Sequence, residues 1–309
     1  MLSIVIGIIK NAAGEIFITR RHTNLHQGGL WEFAGGKVET GELLHAALAR
    51  ELKEEIAIDV IQATPLIQLK HDYSDRTVEL NVFLITDYKG EAKSLLGQET
   101  EWINVDEFDN YAFPAANKAI LTALRLPSHY AILNDDSNNL LAKLKHLLAQ
   151  NITLIQARLK NSTTESVQNF LAVAYPLCQA NGTLLLVNSG AASEFETYCD
   201  GVHLTSHDLL TLKTRPKNLR WLSASCHNLE ELRHAEKIGV DFAVLAPVLP
   251  TKTHPETVPL GWHTFSEWVK ECNFPVYALG GVNQADLHTA KTHGAQGIAG
   301  IRAFEINAE

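Results

Sequence analysis

Three glutamates, Glu51, Glu54 and Glu55, crowd one short stretch of this chain, with Arg50 and Lys53 among them and Glu42 a little upstream. Residues at i, i+3 and i+4 share a helix face, so on a helix the three carboxylates stack on one side while Glu42 stands at its entry. Like charges at that spacing repel and cost helix stability unless a cation lies among them. Hard divalent ions with oxygen ligands, Mg²⁺ or Mn²⁺, neutralise such a patch and then bridge to phosphate oxygens. The alternative is a solvated acidic face partnered by Arg50 and Lys53.

Spacing separates the two. Gly36, five residues, Glu42, seven residues, then Arg50-Glu51-Leu52-Lys53-Glu54-Glu55-Ile56-Ala57-Ile58 resembles the Nudix hydrolase box, departing from it at Ala57, where the box has a glycine. A glycine there closes the helix at positive φ, so alanine is expected to strain or shift that turn by about 1 kcal/mol without touching a ligand. Many fixed residues at fixed intervals define a reaction type more firmly than a substrate.

The resemblance narrows to the MutT branch over residues 4–124, through Val5-Ile6-Gly7-Ile8-Ile9, Glu15-Ile16-Phe17-Ile18-Thr19-Arg20-Arg21, Glu32-Phe33-Ala34-Gly35-Gly36-Lys37, Gly97-Gln98-Glu99-Thr100-Glu101-Trp102 and Phe113-Pro114-Ala115-Ala116-Asn117. It implies an α+β Nudix sandwich that hydrolyses 8-oxo-dGTP to the monophosphate and pyrophosphate, with Mg²⁺ or Mn²⁺ as cofactor. Carried over by position, Glu51 and Glu54 are catalytic with Arg50 orienting a box glutamate, and the Gly35 carbonyl joins Glu51, Glu54 and Glu55 around metal. Arg21, His26, Glu32, Phe33, Ala34, Gly35 and Asn117 would bind the nucleotide, Phe33 walling the base pocket and Asn117 facing the purine edge. An asparagine amide offers donors and an acceptor, which suits a purine whose O6 accepts and whose oxidised ring donates. Taken alone, Asn117 reads as an ordinary helix N-cap after Phe113-Pro114. One part is missing: relatives carry a further metal-facing glutamate where this chain has Leu95-Leu96, leaving Glu99 or Glu101 as substitutes.

Length and composition set the frame that must position these groups. At 309 residues the chain is long enough for two domains, each with its own core, and 46% hydrophobic with 20% charged residues is ordinary for a folded protein. The formal net charge of −9 argues against a nucleic-acid polymer as partner and leaves small anionic substrates reached through metal ions. No stretch is long and apolar enough to cross a bilayer, and the run at 2–9 lacks a basic leader and reads as a strand, not a signal peptide. Cys178, Cys199, Cys226 and Cys272 have no CxxC spacing, which fits reduced, buried thiols in a cytoplasmic protein. Oligomeric state is not written in these patterns.

Residues 1–126 mix apolar runs at 4–9, 16–19, 66–70 and 78–86, read as strands, with helical segments at 42–56 and 116–126. Residues 127–129, beginning at a proline, read as a linker. From 130 to 309 eight short apolar strands, at 130–133, 153–159, 183–187, 201–204, 221–225, 242–248, 276–280 and 297–301, alternate with helical segments. That alternation predicts an α/β fold, a (β/α)₈ TIM barrel with a short or missing last helix, and a doubly wound open sheet is the alternative.

The second segment resembles thiamine phosphate synthase and its thiazole tautomerase relatives through Gln156-Ala157-Arg158-Leu159-Lys160, Asn188, Asp200-Gly201-Val202-His203-Leu204, Asp208, Ser225-Cys226-His227, Pro247-Val248-Leu249-Pro250-Thr251-Lys252-Thr253 and Leu279-Gly280-Gly281-Val282. The resemblance implies a phosphate- and ligand-binding set of Gln156, Arg158, Lys160, Asn188, Asp208, Ser225, Thr251, Thr253 and Gly281, for a thiamine-precursor phosphate. Arg158 and Lys160 alternate with Ala157 and Leu159, placing both on the inward face of one strand, where they need an anion. Departures fall at Ser189, where an aspartate for Mg²⁺ is expected, at His254 for a lysine, and at Arg302 for a serine. Three functions stand open: 8-oxo-dGTP hydrolysis beside a precursor-binding barrel; hydrolysis of a thiamine or pyrimidine pyrophosphate coupled to thiamine phosphate synthesis; and a barrel that binds its ligand without turnover.

Overall fold

The computed structural model describes residues 1–25, 27–72, 77–135, 139–192, 196–251 and 256–304. The chain divides into two compact units, Met1–Arg125 and Leu126–Glu309.

In chain order the first unit runs β1 (Leu2–Ile9), β2 (Ile16–Arg20), β3 (Trp31–Glu32), β4 (Gly35–Lys37), α1 (Leu44–Ile56), β5 (Asp59–Asp72), β6 (Thr77–Lys89), β7 (Thr100–Ile103), 3₁₀ turns at Val105–Asn110 and Ala115–Asn117, and α2 (Lys118–Arg125). One sheet has the order β4-β1-β6-β5 and the other β3-β2-β7. Period-two alternation along β1 sorts its side chains between two cores: Val5 and Ile9 pack with Leu48, Leu52 and Ile56 of α1, whereas Ile8 packs with Trp31, Phe33, Val82 and Ile120. Leu48, Leu52 and Ile56 are fully buried, and roughly 2 kcal/mol from each such side chain outweighs the few tenths lost per like-charged pair on the opposite, glutamate-bearing face. The helix ends at Ala57 with φ 63° and ψ 22°, the left-handed turn that a glycine adopts without strain.

The second unit runs β8 (His129–Asn134), α3 (Leu140–Ala149), β9 (Leu154–Arg158), α4 (Thr164–Ala180), β10 (Leu184–Asn188), α5 (Ser189–Ala192), β11 (Gly201–Leu204), α6 (Ser206–Thr211), β12 (Trp221–Cys226), α7 (Leu229–Ile238), β13 (Phe242–Leu245), α8 (Gly261–Val269), β14 (Val276–Leu279), α9 (Leu287–Thr292) and β15 (Gly297–Gly300). Each strand pairs in parallel with the next, and β15 closes on β8 with Ala299 opposite Tyr130, so the sheet is a closed barrel and not the open alternative. Tyr130, Leu154, Trp221, Phe242, Val244 and Tyr277 form the inner core, while Ile155, Ala157, Leu222, Ala224 and Ala243 belong to the core shared with the helices. Residues 126–128 are tied to this unit: the carbonyls of Leu126, Pro127 and Ser128 accept from Gln296 Nε2 (2.9 Å), the Tyr277 hydroxyl (2.5 Å) and the Ile298 amide (3.0 Å). No helix among the described residues is long and apolar enough to cross a membrane. None of the four cysteines forms a disulfide among the described residues; Cys178, Cys226 and Cys272 are buried and Cys199 is partly exposed.

Candidate functional site

The first unit gathers its acidic groups where α1 meets β4. Arg50 reaches back from α1 to Glu42, donating from Nε to Oε1 (3.0 Å) and from Nη2 to Oε2 (2.8 Å). A further bond runs from Nη1 to Glu51 Oε1 (2.7 Å), and Nη2 also donates to the Lys37 carbonyl (3.0 Å). The planar guanidinium thus fixes Glu42, Glu51 and the entry loop at once. These bonds, with one from the Glu39 amide, hold the Glu42 carboxyl down at about 2. Gly36 permits the arrangement, because a Cβ there would land on the Glu51 carboxylate. Glu55 accepts from the Gly35 amide (3.0 Å). Burial, and then the facing charges of Glu51 and Glu32, push its carboxyl up to about 7. Glu54 is exposed.

Hard carboxylate oxygens with unrelieved mutual repulsion fit a divalent cation. Among the described residues no three acidic or imidazole side chains already converge on one point, because Arg50 holds Glu51 and the Gly35 amide holds Glu55. Glu51 Oε2 and Glu55 Oε1 take no part in these bonds and remain open to an ion.

Beside this patch, Arg21 Nη1 donates to Glu32 Oε2 (2.7 Å) and Gln98 Nε2 donates to Glu32 Oε1 (3.2 Å). Phe33 stacks on Phe113 at 5.4 Å and 25°. Ala34 is buried, with its carbonyl accepting from the Gly7 amide. Asn117 is 8% exposed at the last position of a 3₁₀ turn, and its side chain makes no hydrogen bond with another described residue, so the N-cap reading has no bond to support it. His26 lies outside the described residues. The two carboxylates expected to substitute at Leu96 are engaged elsewhere: Glu99 pairs with Arg20 (3.0 Å) and Glu101 accepts from the Tyr111 hydroxyl. Leu96 is itself exposed, its carbonyl 3.0 Å from His22 Nε2. Glu32 is instead the added carboxylate facing Glu55.

In the second unit Arg158 and Asn188 end β9 and β10, Ser225 is one residue from the end of β12, and Lys160, Asp208, Thr251 and Gly281 follow β9, β11, β13 and β14, while Gln156 lies within β9. Arg158 Nη1 donates to Asn134 Oδ1 (2.9 Å), and Asn188 Oδ1 accepts from the Leu159 amide (3.1 Å). One expectation is corrected: β9 ends at Arg158, so Lys160 is exposed in the following loop and does not share the strand's inward face. Burial, and then Arg158, lower the affinity of its amine for a proton, while Asp208 opposes them. Asp208 Oδ2 accepts from the hydroxyls of Ser189 and Thr205, which, with His207 and Lys160 nearby, hold its carboxyl below the usual range. With Ser189 donating a hydroxyl where a second carboxylate would stand, the described residues do not build an Mg²⁺ site here. Gln156 is buried, and Gly281, at φ 72°, lets the loop after β14 approach the Leu249 and Pro250 carbonyls, where a Cβ would collide. Thr251 is partly buried, and Thr253 and His254 lie outside the described residues.

Sequence reasoning missed the partners that orient these groups. Gln98 on Glu32, Asn134 on Arg158, and the Tyr130, His203 and Ser223 side chains beside Ser225 were not singled out. A signal existed for the last set: Ser223 and Ser225 alternate in an otherwise apolar strand, which puts both hydroxyls on the inward face.

Residues 5–123 match the family model described as NUDIX domain, and residues 129–304 match that described as thiamine monophosphate synthase. An 8-oxo-dGTP diphosphatase of Escherichia coli (strain K12) is 36% identical over 124 residues, 40% of this chain and 96% of the relative. One from Proteus vulgaris is 47% identical over 90 residues, 29% of this chain and 80% of the relative. A putative thiamine-phosphate synthase 2 of Aquifex aeolicus (strain VF5) is 32% identical over 184 residues, 59% of this chain and 99% of the relative.

Proposed function

The chain belongs to the thiamine monophosphate synthase family through residues 129–304 and to the Nudix hydrolases through residues 5–123, and we propose that it hydrolyses 8-oxo-dGTP to the monophosphate and pyrophosphate beside a barrel that binds a phosphorylated thiamine precursor. The observation that carries the first half is the placing of Glu51 against Gly36 and of Glu55 on the Gly35 amide, on the helix that also carries Glu54, with Arg50 tying the Lys37 carbonyl of β4 to α1. Glu51, Glu54, Glu55 and the Gly35 carbonyl would hold Mg²⁺ or Mn²⁺. Bound there, the ion supplies Lewis acidity to the phosphate oxygens and to the attacking water.

The chain's own residues do the rest. Arg50 is a positioning residue that presents Glu51. Glu54, exposed and unbonded among the described residues, accepts the proton of water as it attacks phosphorus. Glu32 supplies the negative charge that the chain lacks at Leu96. Phe33, stacked on Phe113, walls the base, and the Asn117 amide, nearly buried without a protein partner, reads the purine edge. An amide without a protein partner is open to a base edge, which favours a base-reading pocket over a general pyrophosphatase.

In the barrel, Arg158 and Lys160 stand with Asp208, whose charge Ser189 and Thr205 already solvate. That arrangement favours binding a phosphorylated thiazole or pyrimidine over the full synthase reaction, which brings a pyrophosphate leaving group needing more counter-charge.

Release of pyrophosphate from 8-oxo-dGTP and dGTP, and of orthophosphate from thiamine diphosphate, each with Mg²⁺, tests the assignment. The expected order is 8-oxo-dGTP first, and Glu54→Gln should lower kcat at least about 10²-fold for loss of a charge at the reacting centre. Preference for thiamine diphosphate would move the first unit into thiamine metabolism. Equal rates in wild type and Glu54→Gln would remove Glu54 from the chemistry.

A further inference from the structure

At the carboxyl end of the barrel one carboxylate ties two loops together. Asp135, partly buried and directly after β8, accepts with Oδ2 from the Asn161 amide (2.6 Å) and the Ser162 hydroxyl (2.9 Å), and with Oδ1 from Asn161 Nδ2 (3.2 Å). Both of its oxygens are thus engaged. Each of these donors lies in the loop after β9, immediately beyond Lys160.

The bond to the Asn161 amide has the longest reach. A peptide unit is planar, so that N–H shares one rigid plane with the Cα and carbonyl of Lys160. Fixing the hydrogen fixes one side of Lys160, at a point where strand pairing has already ended with Arg158 opposite Asn134. The other end of the stretch is held in a similar way: the Leu159 amide donates to Asn188 Oδ1 of β10 (3.1 Å), and Arg158 Nη1 donates to Asn134 Oδ1 of β8 (2.9 Å). Side chains from both flanking strands therefore bracket residues 158–161. A loop left free would have to be ordered before its lysine could grip an anion, and that ordering subtracts from affinity. Asp135 does not work through the lysine's charge, because, burial apart, the groups that act on the Lys160 amine are Arg158 and Asp208.

We infer that Asp135 is a positioning residue: through the Asn161 amide it holds Lys160 ready for an anionic phosphate at the carboxyl end of the barrel. Two other roles make different predictions. A bare carboxylate at this end repels an anion, so on charge alone its removal tightens binding. A general brace of the fold weakens binding on removal whether or not Lys160 is present. The inference rests on the barrel's being a phosphate binder, so the experiment reads the two separately.

The full chain supplies two measurements, hydrogen exchange at the Asn161 amide by NMR and titration calorimetry with inorganic pyrophosphate. In wild type the amide should be protected, a result that needs no variant to fold. Asp135→Asn keeps the shape but has one acceptor oxygen, so at its other end a donor faces a donor. It should bind pyrophosphate about fivefold more weakly, the worth of one hydrogen bond. In a Lys160→Ala background the same change should cost nothing. An unprotected Asn161 amide in wild type would overturn the inference. So would an unchanged or smaller dissociation constant in folded Asp135→Asn, or an equal loss with and without Lys160. Wild type that gives no heat would overturn the reading of the barrel as a phosphate site, and the role of Asp135 with it.

Discussion

At the scale of single residues, the most informative group is Glu55, because its proton reports what surrounds it. Burial and the carboxylates of Glu51 and Glu32 raise it from the usual carboxyl value of 4.5 to about 7. Between those values the folded chain keeps a proton that the unfolded chain has lost, so stability falls as pH rises through that window and is level above it. In chelator, the first unit's unfolding midpoint should therefore drop from pH 4.5 to 7, and Glu55→Gln should flatten the drop. The same proton competes with a cation, so Mg²⁺ or Mn²⁺ affinity should rise over the same window. A midpoint that climbs with pH, in a protein that binds metal equally well at pH 5 and 7.5, would mean that Glu55 is not crowded by charge. Asn117 is informative in another sense: its amide has no protein partner, which leaves it open to the purine edge it is proposed to read.

At the scale of elements, α1 carries the account and also its local defect. Ala57 holds the left-handed turn at φ 63°, where an L side chain costs about 1 kcal/mol more than glycine. Ala57→Gly should raise the first unit's melting temperature by roughly 3–5 °C in calorimetry, with turnover unchanged. A fall would show that the turn is relieved by something the backbone angles do not reveal. Strand and helix periodicity made most of this architecture legible in the sequence. All eight barrel strands and the two helices of the first unit are where apolar runs put them, to within a few residues at their ends. What stayed hidden had no apolar signature. β3 and β4 are short strands formed by pairing alone, and β5 runs from Asp59 to Asp72, well beyond its apolar stretch, because β6 offers it a partner over that length. The carboxylate spacing likewise revealed the acidic patch, whereas Arg50 bridging Glu42 to Glu51 and Ser189 sharing Asp208 with Thr205 depend on loops that no periodicity encodes. Lys160 shows the limit of alternation, which is a rule for strands and fails two residues after β9 ends.

At the scale of the whole molecule, two units with separate cores carry two proposed anion sites of different construction. The first is acidic and needs a cation between itself and its substrate; the second presents Arg158 and Lys160 directly. Ligands should therefore stabilise the two independently identifiable sites in different ways. A non-cleavable 8-oxo-dGTP analogue with Mg²⁺, at a hundred times its dissociation constant, should add about 2.7 kcal/mol to the unit that binds it. Glu54→Gln combined with Glu55→Gln should abolish that gain, whereas Arg158→Ala should leave it and abolish stabilisation by inorganic pyrophosphate without metal. Loss of both gains in either variant would mean that the two anions share one site. The central claim, that the glutamates of α1 exist to hold cations that hold a polyphosphate, is tested most directly by anomalous diffraction from crystals soaked with Mn²⁺ and the same analogue. Manganese peaks within coordination distance of Glu51, Glu54 or Glu55, the Gly35 carbonyl and the analogue's phosphate oxygens are predicted; an analogue bound with no manganese at that helix would contradict the account.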